Sequence, residues 1–346
     1  MTDLHVVLPG GVDDPAAPSG GNHYDRRACA QLAALGWRVV EHPADGGWPR
    51  PDAAEVAGLA ATLDALPDGA LALLDGLVAA AAPEVVVPAA DRLRVAVLVH
   101  LPLVDEAGDT ELDARERRTL RAAAAVIATS DGAARRLAAL HGLDGVRVAA
   151  PGVDPAPLSP GTDTGSRLLC VAAVTPRKAQ DTLVAALATL GALDWTCAFT
   201  GALDRDPAYA ARVRAAAAPL GDRVTFTGPL GGAALQARYA EADLLVLPSR
   251  AETYGMVVTE ALARGVPVVA TEVGGVAEAL GRAPDGARPG MLVPPGDPDA
   301  LAGALRSWLT RPEVRSDLRT AAAARRSTLD GWDVTARALA GALEAL

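Results

Sequence analysis

Aromatic side chains and cysteines are scarce in this chain of 346 residues. Phenylalanine, tryptophan and tyrosine make up 3% of it, and it contains three cysteines, Cys29, Cys170 and Cys197. Because hydrophobic residues still amount to 50%, the core must be built from aliphatic side chains. Isolated cysteines, odd in number and without metal-ligand spacing, argue against a disulfide framework and predict a reducing, cytoplasmic compartment.

Long hydrophobic runs and strongly basic segments are also missing. No apolar run reaches the roughly 18 residues of a membrane span, and no basic segment precedes an apolar one at the N-terminus, so neither spanning nor secretion is expected. The net charge of −10 opposes binding to nucleic acid. The densest basic cluster, Arg115, Arg117, Arg118 and Arg121, is interpreted as a solvated helix face, with peripheral membrane contact as the alternative.

Apolar runs typical of β-strands recur along the chain with helical segments between them. They span residues 4–9, 38–41, 70–74, 94–100, 126–129 and 146–149, and then 167–174, 195–200, 224–227, 244–248, 266–271 and 290–293. A segment rich in proline and glycine, residues 151–161, separates the two series. Regular alternation of strand and helix predicts parallel sheets, and two series predict two doubly wound α/β domains.

The domain boundaries follow from this separation. We predict domains at 1–158 and 159–330, with 331–346 forming a terminal helix. Ligands of doubly wound sheets bind outside the carboxyl ends of the strands. A site in a cleft between the two domains is therefore expected.

Two carboxylates eight positions apart, Glu252 and Glu260, flank Gly255. A helix from about residue 256 to 264, closed by Gly265, would leave Glu252 in the preceding loop and put Glu260 on the second turn. The free amides at the start of such a helix favour a phosphate group. Phosphate-binding amides beside carboxylates that accept hydrogen bonds from hydroxyl groups are typical of a sugar nucleotide site.

This segment resembles the signature of the retaining glycosyltransferases of family 4, which belong to the group 1 glycosyltransferases. The matching features are Glu-x7-Glu, a helix, Gly-x-Pro-Val-Val-Ala-Thr and the pair Gly274 and Gly275. The resemblance covers nearly the whole chain and implies the GT-B fold, two Rossmann-like domains facing across a cleft. In that fold the second domain holds the donor nucleotide, the first shapes the acceptor site, and the last helix commonly returns to the first domain.

The family activity implied is transfer of a hexose from a nucleoside-diphosphate sugar to an acceptor hydroxyl, with retention and without a metal or other cofactor. Glu252 would contact the transferred sugar and Glu260 the ribose. Donor binding would also involve the start of the helix at Gly255, Met256 and Val257. The sugar, the base and the acceptor, whether glycan, lipid or small molecule, stay open.

The family also has a cationic clamp for the diphosphate. Lys178 matches its lysine and would neutralise the leaving group. The position of the family arginine falls on Ala173, which weakens the clamp, and the neighbouring Arg177 is the candidate to compensate.

Three further residues receive roles from the resemblance. His100 ends an apolar strand and would position the sugar and stabilise the cationic transition state. Gly20 and Gly21 would form the loop that approaches the donor phosphate, because glycines allow close contact between backbone amides and an anion.

Two Asp-x-Asp segments, Asp204–Asp206 and Asp297–Asp299, look like a metal motif, but a proline follows an aspartate in each, which is typical of helix starts. No metal is therefore expected. Two alternatives to the transferase stay open: another GT-B chemistry such as phosphorolysis or epimerisation, and a sugar-nucleotide-binding protein that has lost catalysis. Ala173 motivates the second, whereas the presence of His100, Lys178 and both glutamates favours the transferase.

Overall fold

The computed structural model describes residues 3–14 and 18–346, which form two compact units. The first contains residues 3–14, 19–152 and 330–346, and the second contains residue 18 and residues 153–329. Residues 153–158, assigned above to the first domain, thus lie in the second unit. They are held there because Arg326 donates to the carbonyl of Ala156 and Leu158 packs over Gly265.

The first unit is built on a six-stranded parallel sheet of order β2-β1-β3-β4-β5-β6. Its strands are β1 (Asp3–Pro9), β2 (Arg38–Ala44), β3 (Leu71–Asp75), β4 (Arg94–Val99), β5 (Ala125–Ala128) and β6 (Arg147–Val148). The helices between them are α1 (Gly20–Ala34), α2 (Ala53–Asp64), α3 (Gly76–Ala81), α4 (Pro83–Ala90), α5 (Leu103–Ala107), α6 (Thr110–Ala122) and α7 (Asp131–His141).

The second unit repeats this plan with a parallel sheet of order β12-β11-β10-β7-β8-β9. Its strands are β7 (Arg167–Val171), β8 (Thr196–Thr200), β9 (Val224–Gly228), β10 (Leu244–Leu247), β11 (Val268–Thr271) and β12 (Gly290–Val293). Its helices are α8 (Gln180–Ala188), α9 (Pro207–Ala217), α10 (Gly232–Glu241), α11 (Met256–Leu262), α12 (Val276–Leu280), α13 (Pro298–Thr310) and α14 (Pro312–Arg325). Short 3-10 turns cover Pro176–Lys178, Ala218–Arg223 and Arg326–Thr328.

The last helix, α15 (Trp332–Glu344), belongs to the first unit and packs against α1. Trp332 lies edge-on to Tyr24, with 5.6 Å between the ring centroids. The Thr335 hydroxyl donates to the carbonyl of Ala150 over 2.8 Å. The buried face of α15 includes Ala336, Leu339 and Leu343, so apolar contact anchors it as well.

The predicted α/β class is confirmed, and each predicted strand overlaps an observed one. The strand predicted to end at 174 ends at Val171, but the chain continues beside β8 through a hydrogen bond from Val174 N to the carbonyl of Ala202. Asp206 and Asp297 each cap a helix that begins with proline, as predicted. Within the described residues, no helix combines the length and apolar character needed to cross a membrane.

Arginines of the basic cluster on α6 form hydrogen bonds and an ion pair within the first unit. Arg115 donates to the carbonyl of Ala81, and Arg121 donates to the carbonyl of His141 over 2.8 Å. Arg117 pairs with Asp113 at 3.0 Å. Arg117 also donates to the carbonyl of Leu140 over 3.2 Å. These contacts correct the interpretation of the cluster as a simple solvated face, because Arg115, Arg117 and Arg121 each bind α6 to a neighbouring segment.

Asp243, a fully buried carboxylate just before β10, forms hydrogen bonds with the segment that leads into β7 and with α14. It accepts hydrogen bonds from the backbone and hydroxyl of Thr162, from Arg167 N over 2.9 Å and from Arg319 over 2.9 Å.

Replacing Asp243 with alanine leaves these donors unpaired, so we expect Asp243→Ala to lower the free energy of unfolding by about 3 to 5 kcal/mol. Denaturant titration measures this, with the exposed Asp194→Ala as control. A loss no larger than that of the control would contradict this role.

Candidate functional site

The second sheet reverses its strand order between β7 and β10, which are neighbours although two strands separate them in sequence. In doubly wound sheets, ligands bind outside the carboxyl ends of the strands at such a reversal. The turn carrying Lys178 follows β7, and the loop carrying Glu252 follows β10. The topology therefore brings these two predicted residues together from positions 74 apart in the chain.

Lys178 and Glu252 form a partly buried ion pair, with 2.5 Å between Nζ and Oε1. Their side chains are only 19% and 7% exposed, so solvent screens this pair weakly. Arg177 lies on the other carboxylate oxygen at 3.9 Å and donates to the carbonyl of Ala251 over 3.2 Å. The Ser249 hydroxyl donates to the Glu252 oxygen that faces Lys178, over 2.7 Å.

This arrangement determines the charge of Glu252. Burial by itself would raise the pKa of this carboxyl, but the charges of Lys178 and Arg177 and the hydrogen bonds lower the pKa below its ordinary value. Glu252 is therefore an anion at neutral pH, held between two cations. Such a group can accept hydrogen bonds from the hydroxyls of a ligand, and the adjacent cations can bind an anionic ligand.

Arg250 connects the loop that carries Glu252 to the turn that carries Lys178 through hydrogen bonds. The sequence analysis missed this role. The Arg250 amide donates to the carbonyl of Arg177 over 2.7 Å, and its guanidinium donates to the carbonyl of Pro176 and to Asp181. Fixed loops keep the cations beside Glu252 in place. Neither Arg250 nor Ser249 has a sequence signal of its own, because their roles depend on contacts with distant segments.

The helix after this loop, α11, begins at Met256 as predicted, but it ends at Leu262 rather than at Arg264. Gly255 precedes it with φ of +93°, a left-handed conformation that favours glycine. The first amides of a helix, here those of Met256 and Val257, have no acceptor within it. They are therefore the donors that the sequence analysis expected at this point.

Glu260 lies on the second turn of α11 and accepts a hydrogen bond from the Tyr239 hydroxyl over 2.6 Å. Burial, followed by the charge of Glu260, raises the pKa of Tyr239 well above its ordinary value, so the phenol keeps its proton and acts as the donor. Tyr239 is a further residue that the sequence analysis did not identify. It fixes the orientation of the Glu260 carboxylate.

The glycine pair after β11 allows the backbone to pack closely against the Glu252 loop. Gly274 has φ of +48°, and a Cβ atom there would lie 1.6 Å from the carbonyl oxygen of Glu252. Only glycine fits such an approach. The Gly-Gly element of the motif thus shapes the loop that carries the first glutamate.

Ala173, at the position of the family arginine, is half-buried beyond the end of β7. Its carbonyl accepts a hydrogen bond from Gln180 over 2.9 Å. The methyl side chain supplies no charge, and the cations next to Glu252 are Arg177 and Lys178 instead.

His100 lies in the first unit, directly after β4, with two carboxylates that the sequence analysis missed. Its Nε2 is 2.7 Å from Asp25 on α1 and 3.5 Å from Asp75 at the end of β3. The first sheet reverses its order between β1 and β3, so this cluster also lies at a point of strand-order reversal. An aspartate directly after the apolar run 70–74 was the available signal for Asp75.

Gly20 and Gly21 are the first two residues of α1, and this corrects the expectation of a loop. The helix starts this early because the Ser19 side chain caps it, accepting from Asn22 N over 3.0 Å. A Cβ atom on Gly21 would lie 3.1 Å from the His100 ring. Both glycines therefore lie at the start of a helix beside His100, where backbone amides remain available to a ligand.

The second unit matches a family of known proteins. Residues 165–311 match the family model described as Glycosyl transferases group 1. A D-inositol 3-phosphate glycosyltransferase of Jonesia denitrificans is 32% identical over 245 residues, covering 64% of this chain and 57% of that protein. D-inositol 3-phosphate glycosyltransferase 2 of Catenulispora acidiphila is 34% identical over 263 residues, covering 69% and 60%. The matches thus span less than two thirds of these relatives.

Solved structures match the whole chain at lower identity. Sucrose-phosphate synthase from Thermosynechococcus elongatus superposes with a TM-score of 0.81 at 23% identity, covering 100% of this chain and 99% of that one. HepE of Anabaena, solved in complex with UDP and glucose, gives 0.79 at 19% identity and covers all of both chains. These similarities establish the fold.

The ion pair between Lys178 and Glu252 should contribute to the free energy of unfolding in a pH-dependent way. Lys178→Met keeps the side-chain length but leaves Glu252 buried beside Arg177 alone, so we expect a loss of about 3 to 5 kcal/mol near pH 7. Because the pKa of Glu252 is lowered on folding, its contribution is present above the ordinary value of 4.5 and is lost as the pH falls below it. The difference between wild type and variant should therefore shrink from pH 6 to pH 3. A difference independent of pH in urea titrations would contradict this.

Proposed function

Because residues 165–311 belong to the group 1 glycosyltransferases and the chain has the GT-B fold of its structural neighbours, we propose that it transfers a hexose with retention. The donor is a nucleoside-diphosphate sugar, the acceptor group is a hydroxyl, and no metal takes part. The observation that carries this proposal is the paired Lys178 and Glu252 at the strand-order reversal of the second sheet.

In this mechanism, departure of the diphosphate is the step that needs electrostatic help. Lys178 neutralises the leaving group, and Arg177 supplies the charge that Ala173 lacks. An ammonium group has three hydrogen-bond donors, so contact with Glu252 is compatible with donation to a phosphate oxygen. The amides of Gly255, Met256 and Val257 bind the donor phosphates.

The carboxylates orient the hydroxyl groups of the donor. Glu252 accepts from the transferred sugar, and Glu260, held by Tyr239, accepts from the ribose. In the first unit, His100 positions the sugar, and Gly20 and Gly21 present amides to the donor phosphate. These roles rest on the family resemblance together with the contacts described above.

The leaving phosphate oxygen accepts the proton of the incoming hydroxyl, so that bond formation and departure take place on the same face of the sugar.

We place the reaction in the cytoplasm, and the free, buried state of Cys29, Cys170 and Cys197 is compatible with that compartment. The UDP and glucose bound in the HepE structure support a donor of this class.

Product stereochemistry tests the proposal. Purified protein is incubated with UDP-, GDP- or ADP-hexoses, with water as default acceptor, and the anomeric proton of the first product is followed by NMR. We expect one donor to be consumed and the configuration to be retained. An inverted first product would contradict the mechanism. Binding without any turnover would favour the second candidate, a binding protein without catalysis, which Ala173 motivates.

The proposal that no metal takes part in the reaction is tested by removing metal ions from the protein. Two groups of side chains in the first unit have potential ligand atoms within 4.8 Å of one another, namely Asp25, Asp75 and His100, and Asp113, Glu116 and His141. Turnover after EDTA treatment and gel filtration should equal that of untreated protein. A strict requirement for added Mn²⁺ or Mg²⁺ would overturn this part of the proposal.

The two glutamates should differ in their effects. Glu260→Ala removes a charged acceptor worth about 1.5 to 3 kcal/mol and should weaken binding of the free nucleoside diphosphate, measured by calorimetry. Glu252→Gln should reduce turnover more than nucleotide affinity, because its partner is the sugar. The exposed Glu313→Gln serves as control. Equal losses of affinity and turnover in both variants would show that the two roles are wrongly divided.

Arg177 provides the test of the altered clamp. If Arg177 replaces the family arginine, Arg177→Ala should lower kcat by about 10² to 10³, the value of one preorganised charge contact. The exposed Arg306→Ala in the same unit is the matched control. Unaltered turnover in Arg177→Ala would show that Lys178 and the helix amides suffice.

A further inference from the structure

In the described part of the chain, both hydrogen bonds to the Glu252 carboxylate go to the same oxygen. Oε1 accepts from the Lys178 ammonium over 2.5 Å and from the Ser249 hydroxyl over 2.7 Å. The neighbour of the other oxygen, Oε2, is Arg177, and their separation of 3.9 Å is too long for a hydrogen bond. Each oxygen of an ionised carboxyl group has about two acceptor positions. Those of Oε1 are therefore filled by the protein, and Oε2 is the oxygen that can accept from a ligand.

The two donors to Oε1 differ in how firmly they are held. Lys178 reaches this oxygen with an ammonium group at the end of a flexible four-carbon side chain. The Ser249 hydroxyl is carried directly on Cβ, and the residue is fully buried. In the function proposed above, Lys178 also neutralises the departing diphosphate, so a bound donor competes with Glu252 for the ammonium. Ser249 carries no charge that a diphosphate would attract, and its hydrogen bond to Glu252 does not face that competition.

The main chain of Ser249 is held by the neighbouring strand. Ser249 lies two residues beyond the end of β10, and Thr271 is the last residue of β11, which pairs with β10. The buried Thr271 hydroxyl donates to the carbonyl of Ser249 over 2.5 Å. The sheet thus fixes the backbone from which the Ser249 hydroxyl is presented to Glu252.

The carboxylate of Glu252 needs such a fixed donor. Close packing of Gly274 against the Glu252 carbonyl restricts the main chain of the loop, but the carboxylate can still turn about its own side-chain bonds. A donor held by the sheet selects one orientation of that carboxylate. In the selected orientation, Oε1 faces the protein donors.

We propose that Ser249 is a positioning residue, which fixes the Glu252 carboxylate so that Oε2 accepts from the hydroxyls of the transferred sugar. The identity of the ligand as a nucleotide sugar rests on the function proposed above. The contact between Ser249 and Glu252 does not depend on it.

The first measurement needs no ligand. Urea midpoints at pH 7 are compared for the wild type, Ser249→Ala, Glu252→Ala and the double variant. Ser249→Ala should lower the midpoint in the wild-type background, because a buried carboxylate loses a donor. In the Glu252→Ala background, where the acceptor is absent, the shift should be at most about half as large, since contacting residues are coupled. Equal shifts in the two backgrounds would overturn the contact.

The second measurement separates the sugar from the nucleotide and uses Ser249→Ala alone. Calorimetry gives the affinities for UDP and UDP-glucose, for GDP and GDP-mannose, and for ADP and ADP-glucose. For the pair that the wild type binds, the ratio of the two affinities reports the effect of the hexose. In Ser249→Ala the affinity for the nucleotide hexose relative to the diphosphate should fall about 10-fold, as for loss of one hydrogen bond to a charged group. The affinity for the diphosphate itself should not change.

Ser159→Ala in the same unit is the matched control. The Ser159 hydroxyl donates to the carbonyls of Ala240 and Ala242, over 2.8 and 3.1 Å, and not to Glu252. Its removal should lower the urea midpoint but leave the ratio of affinities unchanged. A purely structural role for Ser249 would give the same result as this control.

The outcomes separate this inference from the proposed function. A lowered ratio with intact diphosphate affinity supports the positioning role, whereas an unchanged ratio, or equal losses for both ligands, overturns it. If the wild type binds a nucleotide hexose but transfers none, the proposed function fails, while a lowered ratio in Ser249→Ala still supports the role of Ser249. A wild type that binds none of the six ligands overturns the proposed function and the role of Oε2 together.

Discussion

All-parallel pairing of both sheets is the constraint on which the rest of this structure depends. A parallel sheet covered by helices on both faces has buried strands, so charged groups are confined to the strand ends. In each unit the strand order reverses once, and the loops on either side of that reversal diverge to leave space for a ligand. Two clusters of buried charge, one around Glu252 and one around His100, lie after strands at or beside these points.

The two clusters have opposite composition. In the second unit one carboxylate, Glu252, contacts two cations, whereas in the first unit one imidazole nitrogen, His100 Nε2, faces two carboxylates. Each arrangement keeps a functional group ionised despite burial. Lys178 is also the only lysine in the chain, with arginine at every other basic position. A compact ammonium differs from the planar guanidinium in its contacts, so its position beside Glu252 is a specific feature of the site.

Local patterns explain why much of the fold could be predicted. Apolar runs located the strands, and proline after Asp206 and Asp297 marked helix starts. The Glu-x7-Glu spacing predicted that Glu252 lies in a loop and Glu260 on the helix that follows it, because the whole motif lies within one loop and one helix. The ends of elements were less predictable: Ser19 starts α1 before the glycine pair, and α11 ends two residues early.

Contacts between distant segments could not be predicted. Asp25 and Asp75 meet His100 only because α1, β3 and β4 are neighbours in the folded sheet, and an isolated aspartate carries no signal of that. Arg250 and Tyr239 were missed for the same reason.

The central claim is that a nucleoside diphosphate binds where Lys178 lies, and a single isotope label tests it. Because the chain has one lysine, protein grown with isotopically labelled lysine gives one backbone amide signal from that residue. We expect UDP, GDP or ADP to shift this signal saturably, at concentrations that also raise the melting temperature. A nucleotide that stabilises the protein while leaving the Lys178 signal unmoved would contradict the account, because the donor would then bind elsewhere.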